Sequence, residues 1–404
     1  MKLNLRQIRL VTFITALVIL VAGAGYWFGS HAVELRVGKA PLVIVERTPP
    51  EDKNIDFSLF WDVWDRLSAS FIDKKALDAQ QMVYGAIRGM VASLNDPYTV
   101  FLPPSDNQQV KEDLNGAFNG VGIELGYRDN QLTVISPLQG MPAEKVGVKA
   151  GDLILRVEDQ ETTGMNLPEA VKLIRGPKGT AIKLTLLHQG ENEPYEASII
   201  RDTIVVPSVE VEFIDQVAHL KLMRFGDRTS DEWHEVVNQI ANHLPASGPI
   251  KGVILDLRSN PGGYLSGSVF IASEFLASGV VVQQESANGV KETYSVNRTG
   301  RLTHPDLVVL VNQGSASASE IVAGALKYHQ RAKIVGEKTF GKGTVQEAQD
   351  LADGSGLHIT SARWLLPSGE SIEDEGVVPD YEIKDSPETE GDEQLDKAFE
   401  LLAR

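Results

Sequence analysis

The stretch Asn312-Gln313-Gly314-Ser315-Ala316-Ser317-Ala318-Ser319-Glu320 lies between an almost wholly apolar run, residues 307–312, and a helical one. A hydroxyl at such a strand-to-helix turn is exposed. The first helical N–H groups and the positive end of the helix dipole lie beside it, suited to stabilising an oxyanion. Spacing does not rank the three serines. Ser317 and Glu320 also fit the S-x-x-E capping box, in which the serine oxygen only accepts a backbone N–H. From this stretch alone, cap and nucleophile are equal readings. A serine hydroxyl needs a partner to take its proton. His329 lies twelve residues after Ser317 on the same expected helix, roughly three turns away, and is badly placed. His358 is a candidate with no aspartate motif beside it. The better one is Phe340-Gly341-Lys342-Gly343-Thr344-Val345-Gln346. Flanking glycines let Lys342 approach neighbouring backbone, and desolvation there lowers its pKa toward that of a working base. Gln346, four residues on, can orient the amine. A surface-hairpin lysine is the alternative reading of this segment.

These groups need a scaffold that alternates strand and helix, and the chain supplies one from about residue 203. Strands are expected at 217–222 and 253–257, with an acidic amphipathic helix near 230–243 between them. The turn Ser259-Asn260-Pro261-Gly262-Gly263 leads to a helix around 267–276. The apolar run at 307–312 is what a strand buried on both faces requires. A helix from about Ser317 to His329, a strand at 333–336 and a glycine-rich segment to Gln346 follow.

Earlier in the chain, residues 104–201 read as a separate β-rich module. Its strands follow Gly120-Val121-Gly122-Ile123 and fall at 132–135, 153–157, 181–188 and 195–200, with helices at 142–146 and 167–175. Residues 54–103 form a helical region. There Phe57, Phe60, Trp61, Trp64, Leu67 and Phe71 recur at three- and four-residue steps, a stripe expected to be helix core. A second helix from about 78 to 94 stops at Asn95-Asp96-Pro97. Residues 31–53, with Thr48-Pro49-Pro50, read as a linker. Residues 385–404 read as an acidic, solvated segment and a short amphipathic helix.

Lys2, Arg6 and Arg9 precede an uncharged apolar run of 19 residues, Leu10 to Phe28. As a helix it spans about 28 Å, close to the hydrocarbon thickness of a bilayer. Residues 1–30 therefore read as a retained anchor. The N-terminus stays in the cytoplasm and the rest lies outside a bacterial-type inner or plasma membrane, in periplasm or cell exterior. Ala22-Gly23-Ala24 offers a signal-peptide cleavage site as the alternative. The 404-residue chain carries a net charge of −17 and no cysteine. Phosphate binding needs clustered Lys and Arg, so no nucleic-acid partner is expected. Disulfides, thiolate nucleophiles and cysteine zinc sites are excluded. The eight histidines form no ligand pair, and neither metal nor cofactor is expected.

Taken in order, the motifs resemble the carboxy-terminal processing proteases, also called tail-specific proteases. Ser317 and Lys342 are 25 positions apart (342 − 317), in keeping with that family's Ser–Lys spacing. Leu94-Asn95-Asp96-Pro97-Tyr98-Thr99 is similar to its helical N-terminal region, and Arg258-Ser259-Asn260-Pro261-Gly262-Gly263 to its strand-end turn. Trp364-Leu365-Leu366-Pro367-Ser368-Gly369 and Val377-Val378-Pro379-Asp380 are similar to its C-terminal elements. The resemblance covers most of the chain after the apolar run. It implies a multidomain α/β protein: a crotonase-like α/β serine protease core, an inserted β-rich PDZ domain, an N-terminal helical region and one transmembrane helix. It also implies that Ser317 is the nucleophile, Lys342 the general base and Gln346 the group positioning the lysine. The oxyanion hole would come from the backbone N–H groups of Ala318 and of Gly262 or Gly263.

The module at 104–201 is similar to a PDZ domain. In such a domain Gly120-Val121-Gly122-Ile123 would cradle a terminal carboxylate while the peptide adds a strand to the sheet edge. Arg175, in Arg175-Gly176-Pro177-Lys178-Gly179, would couple the module's position to the active site; a helix C-terminal charge is the alternative. The activity implied is a serine endopeptidase that captures protein substrates with exposed apolar C-termini and cleaves near them through an acyl-enzyme. An adaptor or a second copy of the chain is a further partner. Two other classes stay open: an inactive PDZ scaffold with Ser317 spent as a cap, and a Ser–His–Asp hydrolase using His358.

Overall fold

The computed structural model describes residues 56–128, 131–243, 250–384 and 391–403. The anchor read at 10–28 and the linker at 31–53 lie outside the described residues. Among those described, no helix is long and apolar enough to cross a membrane. The chain divides into two compact units at Asp78.

In the first unit, helix α1 (Ser58–Ser70) sets Phe57, Phe60, Trp61 and Trp64 against one another, ring centroids 5.0 to 6.2 Å apart. None of its residues is buried. Of the stripe expected to be core, Phe57, Leu67 and Phe71 are exposed and Phe60, Trp61 and Trp64 are half-buried. Periodicity identifies the apolar face of a helix and not what covers it.

The second unit opens with α2 (Ala79–Ala92), the turn at 95–99 and β1 (Val100–Leu102), then α3 (Pro104–Asn115) and β2 (Ala117–Gly120). Proline suits the first turn of a helix, and Gly116 at φ +67° closes α3 with a left-handed cap. That helix occupies a stretch expected to belong to the β-rich module. The module itself comprises β3 (Ile123–Arg128), β4 (Gln131–Pro137), α4 (Pro142–Lys145), β5 (Leu153–Val157), β6 (Gln160–Glu161), α5 (Leu167–Ile174), β7 (Ala181–Leu187) and β8 (Tyr195–Ile200). Its antiparallel sheet runs β3-β4-β5-β7-β8 over a core that includes Val134, Ile154, Leu184 and Ile199. Among the described residues β3 pairs only with β4, leaving its other edge open, and α5 packs against it. β9 (Asp202–Val205) returns antiparallel to β2, with Ala117 facing Val205.

The remainder contains β10 (Val209–Ile214), β11 (Val217–Leu222), α6 (Thr229–Asn242), β12 (Gly252–Asp256), α7 (Leu265–Phe275), β13 (Val280–Ser286), β14 (Lys291–Ser295) and β15 (Asp306–Val311). It continues with α8 (Ala318–Tyr328), β16 (Lys333–Gly336), β17 (Thr344–Asp350), β18 (Gly356–Leu365), β19 (Tyr381–Glu382) and α9 (Glu393–Leu402). One sheet, β10-β11-β12-β15-β16-β19, is parallel except for the edge strand β10. Alternate residues serve opposite faces. Val253, Leu255, Leu307, Val309 and Val311 join α6, α7 and α8 in the main core, while Ile254, Val308, Leu310 and Val335 pack beneath Ala398 of α9. Burial on both faces is why these strands read as unbroken apolar runs. A second, antiparallel sheet joins β1, β13, β14, β17 and β18, with Val100 opposite His358.

Candidate active site

β15 ends at Val311, and five residues of turn lead to Ser317, the residue before α8. The turn is fastened by its own polar side chains. Ser315 Oγ donates to Leu257 O (2.8 Å) and accepts from Asn312 N (3.0 Å), and Ser319 Oγ donates to Asn260 O (2.9 Å). Both serines are fully buried. Among the three hydroxyls that spacing leaves equal, two are committed to the scaffold, and only Ser317 keeps partial exposure. Its backbone is unusual, at φ +53° and ψ −115°. An ordinary N-cap is extended, whereas positive φ in a non-glycine residue costs about 1–3 kcal/mol and clusters at active sites. Ser317 thus sits on a sharp strand-to-helix elbow, and its capping box with Glu320 is formed there as well.

Two glycines of the Asn260–Gly263 turn meet this elbow. A Cβ on Gly262 would lie 2.8 Å from Ser317 Cβ and 3.0 Å from Ala318 N, and its φ is +99°, so glycine is required there. Its N–H already donates to Asn260 Oδ1 at 2.9 Å. The N–H groups of Gly263 and Ala318 have no acceptor among the described residues.

Lys342 is brought to the elbow by a carboxylate. Glu320, fully buried in the first turn of α8, accepts from Ser317 N (2.7 Å) and Lys342 N (3.0 Å) through Oε2. Its Oε1 accepts from Gly341 N and Thr339 Oγ1, each at 2.6 Å. Phe340 N donates to Ser315 O (3.0 Å), and Gly343 N to Glu373 Oε2 (2.6 Å). The lysine loop is therefore bonded to the serine turn at several main-chain points. Burial pushes the Lys342 amine below the ordinary lysine range, against the pull of Glu373, Asp96 and Glu320. Burial also raises the Glu320 carboxyl, while its four hydrogen bonds act to lower it.

The side chains are not joined as the sequence led us to expect. No hydrogen bond links Lys342 Nζ to Ser317 or to Gln346 among the described residues; Nζ lies 5.0 Å from the centroid of the Tyr98 ring. The Gln346 amide donates to Thr344 Oγ1 (3.0 Å) and Thr360 Oγ1 (3.2 Å). His358, on β18, is pushed below the usual histidine range by burial and by Lys342, and among the described residues no hydrogen bond ties it to an aspartate. The sequence named Ser317 and Lys342, whose main-chain N–H groups meet at Glu320, but Glu320 was taken for a cap alone, and Thr339, Glu373 and Tyr98 were given no part. Glu320 three residues after the serine was the available signal. No group of residues able to hold a metal occurs among those described.

A second constellation lies in the module. Val121 O and Gly122 O accept from Ala143 N and Leu138 N, each at 2.9 Å, while the Val121 and Gly122 N–H groups have no acceptor among the described residues. Gly122 has φ +75°, and a Cβ there would lie 2.4 Å from Met141 Cβ. Gly120 ends β2 and Ile123 begins β3, so the loop opens at the unpaired strand edge. Arg175 packs its guanidinium 4.1 Å above the Phe118 ring, 3.9 Å from Asp113 Oδ1, and its Nη1 is buried without a partner.

Similarity to known proteins follows both constellations. A model described as peptidase family S41 matches residues 216–383, and a PDZ domain model matches 108–187. A third, for the activating protease CtpB N-terminal domain, matches 19–105. A carboxy-terminal-processing protease of Bartonella bacilliformis is 36% identical over 329 residues, 80% of this chain and 74% of that protein. Carboxy-terminal processing protease CtpA of Bacillus subtilis is 38% identical over 318 residues, 78% of this chain and 66% of that protein. Among solved structures, photosystem II D1 C-terminal processing protease is similar over 86% of this chain and 97% of its own, at 29% identity and a TM-score of 0.50.

Proposed function

Because the chain belongs to peptidase family S41 and is a serine-type carboxy-terminal processing protease, we propose that Ser317 is its nucleophile and Lys342 its general base. The observation that carries this reading is the Glu320 carboxylate, which grips the main-chain N–H of both residues at 2.7 and 3.0 Å. Burial, which favours the uncharged amine, supports Lys342 in the role. In the forward step Lys342 Nζ takes the Ser317 proton as Oγ attacks the peptide carbonyl. The oxyanion that forms is met by the N–H groups of Ala318 and Gly263, since that of Gly262 is already spent on Asn260. Lys342 then gives its proton to the leaving amine, and the freed acyl-enzyme is hydrolysed by a water that the neutral amine activates. Gln346, held by two threonine hydroxyls, would turn to the amine once substrate is bound.

Substrate selection falls to the PDZ module. The free N–H groups at Val121 and Gly122 and the open edge of β3 suit an apolar C-terminus that adds as a strand, its carboxylate seated in the loop. Arg175, between that loop and Asp113, is the coupling residue of this reading. The apolar run at 10–28 supports export, with catalysis outside the cytoplasm.

Substitution tests the assignment. Lys342→Ala and Ser317→Ala should each lower kcat/KM on a peptide substrate by at least about 100-fold, and His358→Ala should change it little. The opposite pattern sinks the reading. Because the working base is the neutral amine, the rate should fall on acidification through one pKa below the ordinary lysine range. An acid limb that disappears in His358→Ala would transfer the role to the histidine.

A further inference from the structure

The turn Asn95-Asp96-Pro97-Tyr98-Thr99 has no part in the reaction above, yet it is built into the site. Asp96 accepts from Tyr98 N (3.1 Å) and Thr99 Oγ1 (2.6 Å), and Thr99 Oγ1 in turn accepts from Thr360 N (3.0 Å). Thr360 is the residue whose hydroxyl holds the Gln346 amide, and β1 directly after the turn pairs with β18. This anchoring leaves the Tyr98 ring beside the lysine, with Nζ 5.0 Å from its centroid. At that distance the ring face attracts an ammonium and not a neutral amine. No hydrogen bond from Nζ to a described residue competes with the contact.

We propose that Tyr98 is a positioning residue for Lys342, its ring face docking the ammonium in the resting site until loss of the proton frees the amine to reach Ser317. The proposal rests on Lys342 being the base. The charged and titratable groups around Lys342 come from every element packed on it. Glu373 from the segment after β18, Asp96 from the turn and Glu320 from α8 favour the ammonium and burial opposes it, while His358 of β18 is itself pushed down by burial and by Lys342. Burial and the surrounding carboxylates push the Tyr98 hydroxyl up, so the ring stays neutral and acts on the lysine through the quadrupole of its face. Tyr98 adds to the side that keeps the proton. Weakening its π face should lower the pH at which activity is lost.

The experiment is the pH profile of kcat/KM for the full chain on a peptide substrate. It compares wild type, Tyr98→Phe, Tyr98→Leu, and chains carrying mono-, di- and trifluorophenylalanine at position 98. Fluorine depletes the ring face without changing its shape, so this series remains informative if Tyr98→Leu fails to fold. Tyr98→Phe should keep the wild-type acid limb. Each added fluorine should move the limb to lower pH, and Tyr98→Leu should move it by about half a unit to one and a half units, with KM unchanged. A limb that stays in place across the fluorinated series overturns the proposal, as does an equal shift in Tyr98→Phe. Failure of the base assignment looks different. In that case Lys342→Ala itself stays active, whereas a static limb beside an inactive Lys342→Ala counts against Tyr98 alone.

Discussion

Glu320 shows how much one side chain can organise. Its four donors come from the elbow and from the lysine loop, at 2.6 to 3.0 Å. Removing the carboxylate leaves those buried donors unsatisfied, each at a cost of about 1–3 kcal/mol where water cannot replace it. Glu320→Ala should therefore lower stability by at least about 3 kcal/mol, read as a shift in the urea midpoint. Glu320→Gln keeps the shape but turns an NH₂ toward N–H donors, and should cut kcat/KM by at least about tenfold. Full activity in both variants would show that the carboxylate does not hold the site. At this scale the sequence was a partial guide. The glycines beside Lys342 mark close backbone approach but fit a surface hairpin equally, and it was the family resemblance that singled out Lys342 and separated Ser317 from Ser315 and Ser319. Their hydrogen bonds to Leu257 and Asn260 come from a segment distant in the chain. Tyr98 was hidden for the same reason.

Among the elements, legibility followed burial. The parallel strands β12 and β15 were readable because both faces are covered, which leaves no polar position to confuse the pattern. β17 has mostly polar, partly exposed residues, and so passed for a glycine-rich segment. Its place in the sheet is fixed by β18, not by its own composition. Helix α3 went unread because its composition is polar and only Asn107 is buried. The loop before β3 was clear from its glycines, and it carries the prediction for this scale. Gly122→Ala forces a Cβ to within 2.4 Å of Met141 Cβ at a φ of +75°. Affinity for an apolar C-terminal peptide, read by fluorescence anisotropy, should fall at least about tenfold, while a fluorophosphonate probe still labels Ser317. Unchanged peptide affinity would remove the loop from the binding site.

Across the whole second unit, the sheet that bears the nucleophile is closed on its far side by α9, and the closure is partly ionic. Arg258, just past β12, holds buried Asp256 at 2.7 Å and reaches Asp392, the N-cap of α9, at 2.8 Å. Burial alone would raise the Asp256 carboxyl, but hydrogen bonds from His219 and Arg258 outweigh it and hold it at about 2, from an ordinary 3.8. A depressed carboxyl stabilises the fold above its unfolded pKa and loses that contribution as pH falls through its folded one. Stability should drop by about 2 kcal/mol between roughly pH 4 and pH 2, and Asp256→Asn should flatten that part of the curve. An unchanged slope would mean that the pair contributes nothing to acid resistance. The ribbon of β2 and β9 has a different consequence. Ala117 and Val205 face each other as antiparallel partners, and such Cα atoms lie about 4.5–5.5 Å apart, a gap that a two-residue turn spans. Everything between them could be excised and the ends spliced without taking a strand from either sheet of the remainder. In architectural terms, the peptide-binding module is the overgrown loop of a hairpin, and the enzyme beneath it is complete in its connections without it.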